Sequence, residues 1–315
     1  MTISRDQQLS IYDKSRELKK EFNQLVDEFT EGLWRYCLYL TGSHWDGEDL
    51  YQETMVKALG NIYQRWHPTN PKPYLYRIAT NTWIDHCRKE KRIIGSLEEE
   101  EVPAEENPDT LDVEEALNHL ISLFTPRQCA VFLLMEVFSF TAKEVAGIVQ
   151  TTPGAVYATL QRMRTKLKNQ PPKSNSKPDS TLNSIKSEDT TIKKYLNALN
   201  NGDLEGVLSI FSDNAHNEAS LGFQEFTKDE MRSGSMQFGL PGFRAERYQL
   251  WGRNVIVVFY DGEQGPEVHD IQYQEIENGK IVLHRSYYFR KEFMFAASEE
   301  LGYPVQIDKP VVDWN

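Results

Sequence analysis

KPYLYRIATNTWIDHCRKEKR, Lys72 to Arg92, has two faces at helical spacing. Leu75, Ile78, Ala79 and Thr82 recur at steps of three and four residues, the stripe that a helix turns toward a core. Arg77, Asn81, Asp85, Arg88 and Arg92 fall on a second stripe, with Trp83 beside it. Six basic residues against two acidic ones leave the stretch at +4. Cations that hold phosphates, beside a ring that stacks on an unpaired base, suit single-stranded DNA. The plainer alternative is a solvated basic helix whose tryptophan packs in a core. The neighbouring segments decide between them.

Upstream, Phe22, Leu25, Val26, Phe29, Leu33, Tyr36, Cys37 and Leu40 keep a helical period after a polar lead-in over residues 1–20. Thr41-Gly42-Ser43 ends that helix. Another starts near Asp46, with Glu48 and Asp49 in the first turn, where the helix dipole favours acids. It runs through DLYQETMVKAL, burying Leu50, Thr54, Met55, Ala58 and Leu59 and leaving Asp49, Gln52 and Glu53 outside. Residues 63–73 form a loop into the Lys72–Arg92 helix. Downstream, Glu98 to Glu115 holds ten acidic residues and no basic one, so most of the net charge of −12 lies there. Its prolines and scarcity of apolar residues make it a linker.

A second helical unit starts near Leu111, with Leu117, Leu120, Ile121 and Phe124 as its first stripe. Thr125-Pro126 pairs a capping hydroxyl with a proline in the first turn and opens RQCAVFLLMEVF. Thr141 opens AKEVAGIV, Gln150-Thr151-Thr152 turn the chain, and Pro153 opens GAVYATLQRMRTKLK. There Val156, Leu160, Met163 and Leu167 face a core, while Tyr157, Ala158, Gln161, Arg162 and Thr165 face outward. From Pro153 to Lys173 there are five basic residues and no acid. Helix, tight turn and basic helix form a helix-turn-helix pattern, which a plain helical hairpin can mimic.

Residues 170–187, rich in Pro, Ser, Lys and Asn, read as a flexible linker. Beyond them Ile192, Tyr195, Leu196 and Leu199 mark a helix, and Asn200 to Asp203 turn into another with Leu204, Val207, Leu208 and Phe211. A short helix is expected near residues 228–236. After Gly242 come four strands, FRAERYQLW, NVIVVFY, VHDIQYQEI and KIVLHRSYYF, with a hairpin signal at Asn278-Gly279. Helices followed by an antiparallel sheet indicate an α+β domain. With 315 residues the chain has room for two or three domains. Cys37, Cys87 and Cys129 are odd in number, widely spaced and without a C-x-x-C pair. They read as buried thiols of a reducing cytosol, not as a disulfide frame or zinc site. No apolar run approaches a membrane span and no signal-peptide core is present, so the expectation is a cytoplasmic protein without a membrane partner.

RYCLYLTGSHWDGEDLYQETMVKAL, PYLYRIATNTWIDHCRKEKR, FTPRQCAVFLLMEVFSFTAKEVAGIV and PGAVYATLQRMRTKL closely resemble, in order and spacing, regions 2 and 4 of the extracytoplasmic-function sigma factors, group 4 of the sigma-70 family. YLNALNNGDLEGVLSIFSDNA, GLPGFRAERYQLWG and YYFRKEFMFAASEELGYPV resemble the SnoaL-like domain, an α+β cone fused to one subset of them. The resemblance implies a multidomain chain: two all-α sigma domains, a region 2 helical bundle and a region 4 helix-turn-helix, followed by an α+β SnoaL-like cone. Its expected boundaries are 1–95 for region 2 with its lead-in, 96–110 for the acidic linker and 111–169 for region 4. A flexible linker at 170–187 and the cone with its tail at 188–315 complete it.

It also implies a promoter-recognition subunit of bacterial RNA polymerase that binds core polymerase and promoter DNA, with no enzymatic activity, metal or other cofactor. Asp49, Gln52 and Glu53 would dock on the polymerase clamp helices. Trp66, His67, Lys72, Arg77, Asn81, Trp83, Arg88 and Arg92 would hold the −10 element, with Trp66 and Trp83 as stacking surface; core packing is the alternative for Trp83. Gly154, Tyr157, Ala158, Gln161, Arg162, Arg164 and Lys166 would meet the −35 element in the major groove. Many members carry basic residues where this chain has Tyr157, Ala158 and Thr159, which leaves the promoter sequence open. The acidic run would either imitate nucleic acid in a positive channel or serve as a spacer. In the cone, His216, His269, Asp270 and His284 are the acid–base candidates; on the last strand Ile281, Leu283, Arg285 and Tyr287 alternate with His284 on the other face. Cis regulation of the sigma half, a small ligand and catalysis are the roles open to the cone. A regulator using the helix-turn-helix on duplex DNA without polymerase is the competing reading.

Overall fold

In the first unit of the computed structural model, the polar lead-in and the first amphipathic stretch are one helix, α1 (Arg5–Thr41). The structure describes residues 5–62, 70–94, 113–169, 190–220, 223–238 and 244–309, which divide between two units, Met1–Pro178 and Asp179–Asn315. The acidic run up to Asp112, the 170–187 linker and the loop at 63–69 lie outside the described residues. Helix α2 (His44–Ile62) and helix α3 (Pro71–Ile94) pack on α1. Leu33, Tyr36, Cys37, Leu40, Leu50, Met55, Ala58, Leu75, Tyr76 and Ala79 are all buried between them. Helix α3 begins two residues inside the expected loop, with Pro71 in its first turn, where a missing N–H costs nothing. Gly47 is where α2 crosses α1 most closely: a Cβ there would lie 2.7 Å from the Leu38 Cα. Glu48, expected only as a first-turn acid, is 1% exposed. Its carboxylate accepts hydrogen bonds from Trp34 Nε1 at 2.7 Å and Gln52 Nε2 at 2.6 Å.

Helix α4 (Val113–Leu123) leads to α5 (Pro126–Phe132), which opens on the expected Thr125 cap; Gln128 completes a capping box. The sequence reads as one α-helix to Phe138, but from Leu133 to Val137 it widens into a π-turn that ends at Ser139, with φ 57°. The ring of Phe138 then lies 5.4 Å from that of Tyr36 and 5.7 Å from that of Tyr76. Phe140 lies 4.8 Å from Tyr76, with the Lys72 ammonium 4.9 Å from its centroid. The two helical groups are thereby joined into one packed unit. Helix α6 (Ala142–Ile148) opens on a second capping box, Thr141 with Glu144, and Gln150 turns the chain at φ 54° into α7 (Pro153–Asn169).

The second unit starts with α8 (Thr190–Asn200) and α9 (Leu204–Ile210). Phe211 was expected to end the second of these helices; it is extended and begins β1 (Phe211–Ser220), which pairs with β2 (Phe223–Glu225). These two strands were not expected. Phe211, Ala215, Asn217 and Ala219 do alternate toward the interior, but small and polar residues give that alternation little hydrophobic contrast. Helices α10 (Lys228–Ser233) and α11 (Ser235–Phe238) precede β3 (Arg244–Leu250), β4 (Arg253–Gly262), β5 (Gly265–Glu277) and β6 (Lys280–Ser286). The sheet order is β2-β1-β6-β5-β4-β3, antiparallel except where β1 meets β6. Asn278 and Gly279 both have positive φ, as the two-residue hairpin requires. Ile256 and Val258 join the core under α8 and α9, and Val255, Val257 and Phe259 are buried on the opposite face. There α12 (Lys291–Leu301) contacts β3 and β5 and stacks Phe293 on Tyr287, their centroids 4.2 Å apart. Ile281 does not share Tyr287's side; it joins the α8–α9 core, beside a register irregularity at Glu275–Ile276.

Replacing Glu48 by Ala leaves the Trp34 and Gln52 donors without their acceptor in a buried place. The expected loss is about 1–3 kcal/mol of stability, with a smaller loss for Glu48→Gln, which keeps one acceptor oxygen. Hydrogen exchange of α2 in increasing urea measures both.

Candidate polymerase and nucleic-acid interface, and the cone interior

On α2, Asp49 is exposed and Gln52 and Glu53 are half-buried. The three share one side of the helix, and two of them are engaged by neighbouring side chains. Gln52 donates to buried Glu48, and Glu53 bridges Lys57 at 2.8 Å and His86 of α3 at 2.9 Å. On α3, Arg77 and Arg88 are exposed, Asn81 and Trp83 half-buried, and Arg88 lies 3.2 Å from Asp85. Lys72 covers the Phe140 ring. Trp66, His67 and the side chain of Arg92 lie outside the described residues.

Helix α7 buries Val156, Leu160 and Met163 and exposes Gly154, Tyr157, Ala158, Gln161 and Arg162, the expected division. Tyr157 is 61% exposed, a large ring on the face free for contact. Two of the cations of α7 have partners within the unit. Arg164 pairs with Glu136 of the π-turn at 2.6 Å, and Lys166 donates to the Leu123 carbonyl at 2.9 Å. Among the described residues Arg162 Nε hydrogen-bonds its own helix, at the Ala158 carbonyl, 3.2 Å away. One residue that sequence reasoning missed is Arg127. Its guanidinium donates to the Val149 and Gln150 carbonyls at 2.5 and 2.9 Å and so fixes the turn between α6 and α7. Hydrophobic period carries no signal for a side chain that reaches across 22 residues to a backbone carbonyl.

In the cone the four acid–base candidates do not converge. His216 stacks on Phe226, with centroids 5.0 Å apart. His269 hydrogen-bonds Gln306 of the tail at 2.5 Å. Asp270 and His284 lie on the α8 side and are joined only through intermediaries. Asn217 Nδ2 donates to buried Glu225 at 2.7 Å, and Asn217 Oδ1 meets His284 Nδ1 at 2.7 Å. His284 Nε2 lies 3.3 Å from the Tyr195 hydroxyl, which donates to Gln272 Oε1 at 2.9 Å; Gln272 in turn donates to Asp270 at 3.0 Å. Burial pushes the Asp270 carboxyl up to about 6 and His284 and His269 down to about 4. Among the described residues no cluster of His, Cys, Asp or Glu is arranged to hold a metal, and no helix is long and apolar enough to cross a membrane.

Residues 25–93 match the sigma-70 region 2 family. The chain is 28% identical over 159 residues to the ECF RNA polymerase sigma factor SigE of Mycolicibacterium smegmatis, which covers 47% of this chain and 60% of that one. It is 28% identical over 231 residues to the ECF RNA polymerase sigma factor SigG of Mycobacterium tuberculosis, 63% of this chain and 61% of the relative. The chain thus spans about three fifths of the length of these curated relatives. Among solved structures it is similar to the sigma factor RpoE in complex with the anti-sigma factor NepR from Bartonella quintana, with TM-score 0.42 and 22% identity over 48% of this chain and 96% of that one.

The buried titrating groups set the cone's response to acid. Each of the two histidines stabilises the fold fully above its ordinary value of 6.5 and loses that stabilisation as pH falls toward 4. Asp270 has the opposite sign: its protonated form is favoured in the fold, so its contribution is lost as pH rises from 3.8 through 6. Between pH 7 and 5 two histidines outweigh one carboxylate, and the cone should lose about 2 kcal/mol. Urea unfolding of the second unit at the two pH values measures this. His284→Phe, which cannot take a proton, should flatten the slope; an unchanged slope removes His284 from the account.

Proposed function

We propose that this chain is a sigma factor of the extracytoplasmic-function type, a cytoplasmic subunit that directs bacterial RNA polymerase to promoters. The observation that carries the reading is the outward face of α7, a turn-positioned helix without an acid, in the same unit as the region 2 segment. Residues 1–95 and 111–169 are then its two sigma domains and 188–315 a regulatory cone. In this reading the exposed side of α2 docks on polymerase, and α3 engages the −10 element as its strands separate. Tyr157, Ala158, Gln161 and Arg162 read the −35 element from the major groove. Arg164 and Lys166 already have partners at Glu136 and Leu123, which hold them in place and leave their remaining N–H donors for phosphate. Covalent tethering holds the cone at an effective concentration of about millimolar, enough for a weak contact to modulate initiation in cis.

Run-off transcription with purified core polymerase tests the whole reading: promoter-dependent transcripts support it, and duplex binding without any transcription favours a regulator that works without polymerase. Asp49→Lys reverses an exposed charge and should weaken core capture by a variant that circular dichroism shows to be folded; undiminished capture removes Asp49 from the docking face. Arg162→Ala should cost about 1–3 kcal/mol and relax preference at one −35 position if it reads a base. If it binds phosphate alone, all sequences weaken together and the salt slope falls by about one. Deleting residues 187–315 should change the transcription rate at a fixed core concentration; an identical rate across core concentrations rejects cis regulation.

A further inference from the structure

Between α8 and strands β3, β4 and β5 lies a cavity of about 320 Å³, lined among others by Ile192, Arg247, Asn254, Ile256, Gln272 and Gln274. Its volume is that of a small-ligand site. Three polar side chains in its wall lack partners among the described residues. Arg247 is half-buried and Asn254 exposed, and neither side chain makes a hydrogen bond or ion pair with a described residue. The terminal amide of Gln274 is buried at both its nitrogen and its oxygen, and neither atom completes a hydrogen bond. The Tyr195 hydroxyl donates to Gln272 Oε1, and Gln274 lies close enough to it to favour its ionised form, a contact that falls short of a full hydrogen bond. An unpaired buried amide is costly, and folded proteins leave few of them. Here one lies in the same cavity wall as a half-buried guanidinium and a second amide without partners.

We propose that this cavity binds a small monocarboxylate carried on a compact apolar body, with Arg247 holding the carboxylate. The planar guanidinium fork matches a carboxylate with two parallel hydrogen bonds. The Asn254 and Gln274 amides supply donors for its remaining lone pairs, and Gln274 also supplies an acceptor. Ile192, Ile256 and Ile276 form the apolar wall for the body of the ligand. A phosphate dianion fits less well. The other lining cation, Arg253, is held over the Tyr273 ring at 5.5 Å, which leaves one guanidinium to neutralise the anion. This inference rests on the cone alone and is independent of the sigma reading.

Calorimetric titration of the full chain with hexanoate, hexanamide and inorganic phosphate tests it. Hexanoate should bind, with hexanamide and phosphate weaker by about tenfold or more, as loss of the charge-assisted fork predicts. Arg247→Gln should weaken hexanoate by a similar factor, and Arg247→Lys by less. Gln274→Leu should weaken binding while raising the melting temperature of the ligand-free chain, because it removes an unpaired buried amide. The proposal is overturned if hexanoate shows no binding in the millimolar range, if hexanamide binds equally well, or if Arg247→Gln, folded by circular dichroism, binds hexanoate as the unaltered chain does.

Discussion

Four aromatic rings decide whether the first unit is one body or two groups of helices. Tyr36 and Tyr76 come from the three-helix group, and Phe138 and Phe140 from the segment after the π-turn; each pair meets at ring spacings where edge and tilted contacts are favourable. Tyr36 is anchored from beneath, its hydroxyl 2.7 Å from Thr80 Oγ1, and burial raises its ionisation far above the usual tyrosine value. The neutral hydroxyl donates to Thr80 Oγ1, whose own proton goes to the Tyr76 carbonyl, while the ring serves as a packing surface. Lys72 joins from outside by lying over Phe140, so a cation assigned to nucleic acid is engaged by an aromatic ring in this arrangement.

The same separation of rigid support from available chemistry runs through α7. Its buried stripe fixes orientation, and Arg127 fixes the preceding turn through two carbonyls. Arg164 and Lys166 anchor the far end of the helix to the π-turn and to α4. The exposed residues between these supports, Tyr157 to Arg162, are the ones whose conformations stay open to a partner. A helix held at both ends presents its middle with little reorganisation, which favours recognition.

Where hydrophobic period was strong, the sequence revealed the element: the stripes of α3 and α7, the Thr125 cap and the Asn278-Gly279 hairpin all follow from local rules. What stayed hidden was set by distant partners. Strand β1 is polar enough to look like a loop and becomes a strand by pairing in parallel with β6. Glu48 looks like any first-turn acid until Trp34 brings it a donor. The π-turn is invisible because Leu133, Leu134, Met135 and Val137 crowd around the single acid Glu136, so no clear stripe marks the change of pitch. In the candidate site, the outward face of α7 was legible from period alone. The engagement of Glu53, Arg164 and Lys166 was not, since a polar contact between separate elements leaves no trace in spacing.

The π-turn has a consequence for how such a chain can vary. A π-turn is equivalent to one extra residue accommodated within an α-helix, and one residue corresponds to about 100° of helical rotation. Removing a residue between Leu133 and Val137 would restore regular pitch and carry Phe138 roughly a quarter-turn away from Tyr36 and Tyr76. Insertions and deletions are ordinarily tolerated in surface loops and destructive in helices. At this point a single-residue deletion would leave a good helix behind and alter only what the helix touches. Length at this one position is thus a heritable setting for how firmly the two helical groups hold each other, adjustable without changing any residue at their interface.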